Sequence, residues 1–492
     1  MRQLLAAALC LAAAPFALAQ TPAPDLILYN AKVFTGEPGS RFAQAVAITG
    51  DQISAVGTTS QVRGLAGDRT KSIDAKGRVI IPGLNVADRE FCTITAFQVS
   101  PNPDASAADV RAALSGSADE TPADLWLGGM VAAKTFDDPE LTVAAIDKSA
   151  QGRRVLLFSH DGHAAIANGA ALSTLRMNDS HDPAGGWWGH DATGRSTGKA
   201  YEYAAYNLRR RFAEETSDDD VITDLNALGS AAAQFGVTTV QVTPCLPRTH
   251  FEKIARRASV PVRLRIIPMP GTNSGGRNTD EVRDMGRPSG ARSTMNVSGV
   301  AWMLSAQGDR INFSKDEIAS ILKEGAAANQ QIVFDVSGDR AAAALLDALK
   351  AADAKDRHVR IDGSIPAPLI ASAHDLGVVV VASPKNATLK DLLKGGVPLA
   401  LSSNDSTLSP YADLQLATSA GLTREEAVQA YTRGAAFAEG TESEKGVLAP
   451  GKVADLAVLS QDIFAVSSSL PETVSVLTIV GGKVVYDANA LR

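Results

Sequence analysis

Histidine and cysteine, from which most transition-metal and nucleophilic sites are built, are scarce: 492 residues carry seven histidines and three cysteines. Cys10 lies in the N-terminal apolar run, which leaves Cys92 and Cys245. Two cysteines cannot build a disulfide scaffold and form no Cys-x-x-Cys metal pair, so stability must come from an apolar core. Buried free thiols are the favoured reading of this pair, with bonding between them left open in an oxidising compartment. A strong charge of one sign is missing too. The net charge of −7 is spread along the chain, and Arg209-Arg210-Arg211 is a lone basic cluster that reads as a solvated helix face, which argues against a nucleic-acid partner. Long hydrophobic runs are absent beyond the first residues, since no later stretch reaches the roughly 18 uncharged apolar residues that span a bilayer.

What is present begins with a leader. Arg2 precedes an apolar run from Leu4 to Leu18, and Ala17-Leu18-Ala19 precedes Gln20. That is the pattern of a secretory signal peptide occupying residues 1–19, and it predicts cleavage after Ala19 and a periplasmic or secreted protein with no membrane anchor. A hydrophobic fraction of 45% with 21% charged residues is that of an ordinary globular chain, so a packed fold is expected. The length exceeds the roughly 250–300 residues at which one core stops growing, which predicts more than one domain.

Short β-rich pieces fill the region from Asp25 to about Ile81, separated by turns such as Thr49-Gly50-Asp51. The same texture returns from Ala454 to Tyr486. One β-sandwich-like domain assembled from 25–82 and 436–487 is therefore expected. Between them, apolar runs such as Arg154–Phe158, Val237–Val242, Val262–Ile267, Ile332–Phe334, Val378–Val381 and Leu399–Leu401 alternate with helical segments such as Asp316–Ala328 and Arg340–Ala352. Strand-then-helix repetition over 84–435 predicts an α/β fold, a (β/α)8 TIM-like barrel with insertions around 100–200. Ala105–Thr121 and the Gly/Trp-rich Asp182–Gly198 read as inserted loops.

At this point a resemblance emerges. Ile81-Pro82-Gly83-Leu84-Asn85 and the run from Gly446 to Leu456 resemble the amidohydrolase superfamily. Trp126-Leu127-Gly128-Gly129, Asp161-Gly162-His163-Ala164, Asp182–Gly186, Thr197-Gly198 with Glu202, Gly236–Thr239, Gly338–Ala341 and the helix Glu425–Ala436 are similar, in this order, to amidohydrolase family 3, the group of N-substituted formamide deformylase-like proteins. The resemblance covers essentially the whole mature chain. It implies a hydrolase of carbon–nitrogen bonds other than peptide bonds, with one or two divalent metals that activate water and polarise the scissile carbonyl.

The ligand positions that the resemblance implies are altered. The His-x-His pair of the first strand falls on Asp88 and Glu90, residues two apart that share a side of a strand. Ala301 stands where a fourth-strand lysine is expected, Asp335 at the fifth-strand histidine, and Gly363, after Asp362, at the sixth-strand histidine. The eighth-strand aspartate falls on Asn404, or on Asp405 after a slip of one residue, and Asp405 is the candidate catalytic group. His160, His181, His190, His250, His358 and His374 match no ligand position. The resemblance also implies a substrate-binding role for Asp161, His163, Trp187 and Arg340 around the mouth; for His163, packing of the strand end competes equally.

Three readings stay open: a degenerate member that has lost hydrolysis, an active hydrolase whose Asp88, Glu90 and Asp335 carry a hard ion, and a conventional zinc enzyme. Three replacements being acidic keeps the second alive, and no family-type binuclear zinc is expected. Mg²⁺, Mn²⁺ or Ca²⁺ would suit the oxygen ligands. A small-molecule ligand and, by analogy alone, a homodimer complete the expectations.

Overall fold

The computed structural model describes residues 22–491 except 38–41, 93–98, 100–103, 178–180, 284, 286–289, 308, 355–357, 403–408, 466 and 468. The expected leader, Asn404 and Asp405 thus lie outside the described residues.

Strands from both ends of the chain share a sheet. Leu456–Leu459 runs antiparallel to Val79–Pro82 in the register Leu456↔Pro82, Ala457↔Ile81 and Val458↔Ile80. Ser475–Val480 and Lys483–Asp487 extend that sheet on one side, Lys32–Phe34 and Phe42–Ala43 on the other. A second, four-stranded sheet places Leu26–Tyr29 between Ala45–Thr49 and Lys71–Asp74. The two sheets share one apolar cluster, with Leu26, Val46 and Ile48 from the second sheet and Ile80, Leu456 and Ile479 from the first. Period-2 alternation puts these side chains on one face.

The parallel strands form two sheets. In the first, Leu84–Val86, Val237–Pro244, Arg263–Ile266 and Met295–Val297 lie in that order. In the second, Val300–Gln307, Ile332–Ser337, Arg360–Gly363, Val379–Ala382 and Leu399–Leu401 follow one another, with Met303, Asp335, Asp362, Val381 and Ala400 in one row of the register. These strands are mostly buried, as parallel strands covered on both faces must be, but polar Gln241, Arg265, Arg360 and Asp362 are buried among their Val, Ile and Leu. Helices Asp218–Gln234, Lys315–Ala327 and Asp339–Ala351 cover them. Ser314 and Glu317 close a capping box on the second helix, and Ile318, Ile321 and Leu322 form its buried stripe. Burial of each such side chain stabilises by about 1.5–3 kcal/mol. Among the described residues no helix is long and apolar enough to cross a membrane.

Two expectations need correction. Arg154–Phe158 does not join the parallel sheets: Val155–Ser159 belongs to a separate five-stranded sheet with Leu127–Val131, Ala164–Ala167, Ser196–Glu202 and Gly186–His190. Its antiparallel hairpin partners lie within the next fifty residues, and a short apolar run carries no sign of which sheet it enters. The stretches read as loops are regular as well. Ala107–Glu120 is a helix, capped by Ser106 and Asp109, whose buried Ala107, Val110, Leu114 and Ala118 give a helical stripe diluted by small residues. Within Asp182–Gly198, Trp187 pairs with Tyr201 and Trp188 with Ala200. Gly186 is required there, because a Cβ would stand 2.3 Å from the Ala204 nitrogen.

Candidate functional site

A cavity of about 720 Å³ opens where the parallel strands end, lined by Asp88, Glu90, Asp161, Asp335 and Asp362, with Arg89 and Arg209 among them. Strand alternation explains the convergence. Val333 and Asp335 point to the cavity from one strand, Ala301 and Met303 from its neighbour. Asp88 and Glu90 arrive from the chain just after Leu84–Val86, where Glu90–Phe91 pairs with Thr243 and Pro244.

Beneath the carboxylates lies a cation supplied by the chain. Arg360 is completely buried, and its Nε and Nη2 donate to Asp362 Oδ1 and Oδ2 at 2.5 and 2.7 Å. Nη1 donates to Gln241 Oε1 at 2.7 Å, and Nη2 to the Ala87 carbonyl. Arg265 shares that Gln241 oxygen at 2.9 Å, while Gln241 Nε2 donates to Asn85 Oδ1 at 3.0 Å. Two further cations stand at the rim. Arg209 pairs with Glu90. His163 Nδ1 is 2.8 Å from Glu202 Oε2, and Glu202 is itself buried at φ +54°, a left-handed conformation that costs on the order of 1–3 kcal/mol.

Electrostatics follow from this arrangement. Burial, with the neighbouring Asp362 and Glu90, pushes the Asp88 carboxyl up to about 7 against the opposing Arg360. Burial also pushes Asp335 up to about 6, His163 opposing and Asp88 adding to it. Asp362 is raised by burial despite its bond to Arg360. For His163, burial works against the charged form but is outweighed by the Glu202 hydrogen bond and by the charges of Glu202, Asp335 and Asp161, so the imidazole rises to about 9. At neutral pH the site therefore holds an imidazolium, fixed guanidinium groups and carboxyls held above their ordinary values, Asp88 closest to half-titration. Such a set can bind a polar ligand and exchange protons with it.

Of the residues singled out in the sequence, Asp88, Glu90, Asp161 and Asp335 line one cavity. His163 faces Asp335 and Asp161 electrostatically. His163, Trp187 and Arg340 are not among the lining residues. Trp187 stacks on Tyr201 at 5.7 Å with the Arg310 guanidinium 4.0 Å from its ring, and Arg340 reaches outward to Asp309, whose carbonyl accepts from Nη2 at 3.0 Å. Cys92 and Cys245, favoured as free thiols, form a disulfide with Cα atoms 5.2 Å apart, because the Glu90–Phe91 ladder sets them side by side. Arg360, Gln241, Glu202 and Arg209 were missed as site residues. The signal for Arg360 was its place two residues before Asp362 on the same strand face.

A family-type pair of zinc ions does not fit these residues. Asp88, Glu90 and Asp335 offer oxygen where the resemblance implies histidine nitrogen, and Ala301 offers a methyl group in place of the implied lysine. Gly363, at φ +139°, leaves no room for a side chain, since a Cβ would sit 2.3 Å from the Val336 carbonyl oxygen.

Parallel strands carrying acids at their C-terminal ends over a cavity define an α/β class with its site at the strand ends, and comparison with solved structures agrees on the fold. An uncharacterized metal-dependent hydrolase from Pyrococcus horikoshii matches with a TM-score of 0.64 at 16% identity, over 90% of this chain and 98% of that one. An adenosine deaminase from Xanthomonas campestris matches with a TM-score of 0.56 at 14% identity, over 95% and 94% of the two chains. At such identities the likeness is one of fold. The family profile of the amidohydrolases matches residues 71–486, and the chain belongs to the amidohydrolase family. N-substituted formamide deformylase of Arthrobacter pascens is 24% identical over 94% of this chain and 98% of its own. Protein LONG AFTER FAR-RED 3 of Arabidopsis thaliana is 27% identical over 44% of this chain and 38% of its own.

Proposed function

We propose that this chain is an exported amidohydrolase-family protein whose site has lost the histidine-held metals and, with them, hydrolysis, leaving a cavity that binds a small polar ligand. The observation that carries this reading is Arg360: a buried guanidinium, doubly bonded to Asp362, supplies from within the chain the positive charge that a metal would bring. Arg209 and His163 do the same for Glu90 and Glu202. The architecture that goes with it is a (β/α)8 barrel and a terminal β-sandwich. In its favour, Arg360 of the second parallel sheet bonds Ala87 and Gln241 of the first across a shared interior, as the two arcs of a closed barrel would.

A second reading keeps hydrolysis of N-acyl or amide compounds through a hard ion on Asp88 and Asp335, and the absence of any direct hydrogen bond to either carboxylate among the described residues favours it. Calorimetry of the purified protein with Zn²⁺, Mn²⁺, Mg²⁺ and Ca²⁺, repeated on Asp88→Ala, separates the two. The proposed reading expects no metal response and no turnover of N-acyl and N-formyl compounds. Tight binding that Asp88→Ala abolishes, accompanied by turnover, would overturn it.

A further inference from the structure

The wall of the cavity built by Glu90, Cys92 and Cys245 has a chemistry that the carboxylate site does not use. Thr243↔Glu90 and Pro244↔Phe91 are neighbours in a parallel ladder, and the Cys245 N–H donates to the Phe91 carbonyl at 3.1 Å, so the two cysteines continue the ladder with Cα atoms 5.2 Å apart. Each sulfur lies 3.6 Å from one and the same atom, Glu90 Oε1. A tetrahedral ion with metal–sulfur bonds of about 2.3 Å and a metal–oxygen bond of about 2.0–2.2 Å holds its sulfur and oxygen ligands about 3.6 Å apart. The oxygen therefore already stands, relative to both sulfurs, where ligands of one ion would stand, and all three atoms fall within 4.8 Å of one another.

Charge points the same way. Two thiolates, a carboxylate and a divalent ion sum to one negative charge, and Arg209, paired with Glu90 and only 6% exposed, supplies one positive charge beside them. Its Nη2 is buried without a hydrogen-bond partner, leaving a donor for the ligand shell.

We infer that reduction of the Cys92–Cys245 disulfide converts this wall into a site for a thiophilic divalent ion of the zinc class, held by Cys92 Sγ, Cys245 Sγ and the Glu90 carboxylate, with the fourth position left to water or a ligand in the cavity. None of the family's ligand positions is Cys92 or Cys245, so the two sulfurs define a second site that shares only Glu90 with the carboxylate cluster. It rests on the proposed function only in taking the oxidised cavity to hold no zinc. The chemistry balances with a phosphine as reductant: the S–S bond breaks, two electrons pass from phosphorus, and water supplies the oxide oxygen and the two thiol protons. Binding then releases those two protons to solvent as the metal–sulfur bonds form.

Cobalt(II) titration of the full mature protein tests this, read by the near-ultraviolet thiolate-to-cobalt charge-transfer band. The oxidised protein should give no band; the phosphine-reduced protein should saturate at one cobalt per chain and release it to zinc. Cys92→Ser and Cys245→Ser should each abolish the band, and Glu90→Gln should weaken binding at least tenfold. Zinc should also slow alkylation of both thiols by at least tenfold. Reduced protein that keeps its near-ultraviolet dichroism but shows no band overturns the inference. So does a band undiminished in Cys245→Ser, or a chain that unfolds on reduction even with zinc present. Zinc taken up by the oxidised protein and lost in Asp88→Ala would instead overturn the proposed function and leave this site standing.

Discussion

Two clusters of buried charge lie one above the other, and they are treated in opposite ways. In the lower one, Glu439 Oε2 sits 2.7 Å from Lys445 Nζ and accepts from Asn85 Nδ2 at 3.0 Å, while Lys445 also donates to Thr239 Oγ1 at 3.0 Å. Burial pushes the Glu439 carboxyl up, but Lys445 and Arg265 outweigh it and hold the group below its ordinary value. In the upper cluster, Asp88 and Asp335 have no direct hydrogen bond or ion pair among the described residues, and burial raises both. Asn85 and Gln241 link the two layers, so both sit in one network. The lower cluster is satisfied and structural. The upper one keeps carboxyls that destabilise the fold, as a ligand-binding site does and a packed core does not.

The strongest way to break this comparison is to unpair the lower cluster. Lys445→Ala leaves Glu439 charged, 3% exposed and without its ammonium, and should cost about 3–5 kcal/mol in urea unfolding. Replacing both partners together, Lys445→Met with Glu439→Gln, should recover most of that loss, because the cost lies in the orphaned charge. A loss below about 1 kcal/mol in the single variant would mean that the lower pair is not structural.

The upper cluster should respond with the opposite sign. An acid whose folded value is raised from 3.8 to about 6 opposes folding once it ionises. The cost is absent below about pH 4, grows between 4 and 6, and is complete above. Asp335→Asn should therefore stabilise the protein by about 2 kcal/mol at pH 7.5 and by nothing at pH 4. The gain stays below the full value of the shift because Asp335 also supports the His163 imidazolium. That group stabilises the fold fully below about pH 6.5 and progressively less as pH rises to about 9. Thermal unfolding across pH reads both limbs. Destabilisation by Asp335→Asn at pH 7.5 would show the carboxylate to be a paired structural group, and the contrast between the clusters would fall.

How much of this could be read from the chain depends on what kind of signal each feature leaves. The helices expected at Asp316–Ala328 and Arg340–Ala352 lie within one residue of Lys315–Ala327 and Asp339–Ala351, because apolar stripes, and in the first a capping box, are local signals. The strand Val155–Ser159 was legible as a strand but not as a member of its sheet, since pairing is settled by partners elsewhere in the sequence. The acids of the mouth were legible through the family resemblance, which placed Asp88, Glu90 and Asp335 at ligand positions. Their cations were not. Arg360 and Arg209 reach the site from Arg360–Gly363 and from the helix Tyr203–Ala213, segments far apart in sequence, and apart from the spacing of Arg360 to Asp362 nothing local separates a buried arginine from a solvated one. Arg209 shows the point directly, because its cluster of three arginines reads as a surface face while Arg209 itself is 5% exposed.

The smallest effect is expected at Arg340, and it tests where the site ends. Arg340 follows Asp335 by five residues, just inside the helix Asp339–Ala351, so chain proximity alone would place it at the mouth. The side chain instead turns outward: it is 51% exposed and meets Asp309 at the rim, with Oδ1 at 3.4 Å. An exposed pair of this kind contributes little, because solvent screens the charges and two long side chains must be held in place. Arg340→Ala should move the melting temperature by less than about 2 °C. It should also leave the pH limb set by Asp335 where it is, since the largest influences on Asp335 are burial, His163, Asp88, Glu90 and Glu202. A displaced limb in Arg340→Ala would bring the guanidinium into the field of the carboxylates and enlarge the site to include it. An unmoved one fixes the boundary between the carboxylate cluster and the surface around it.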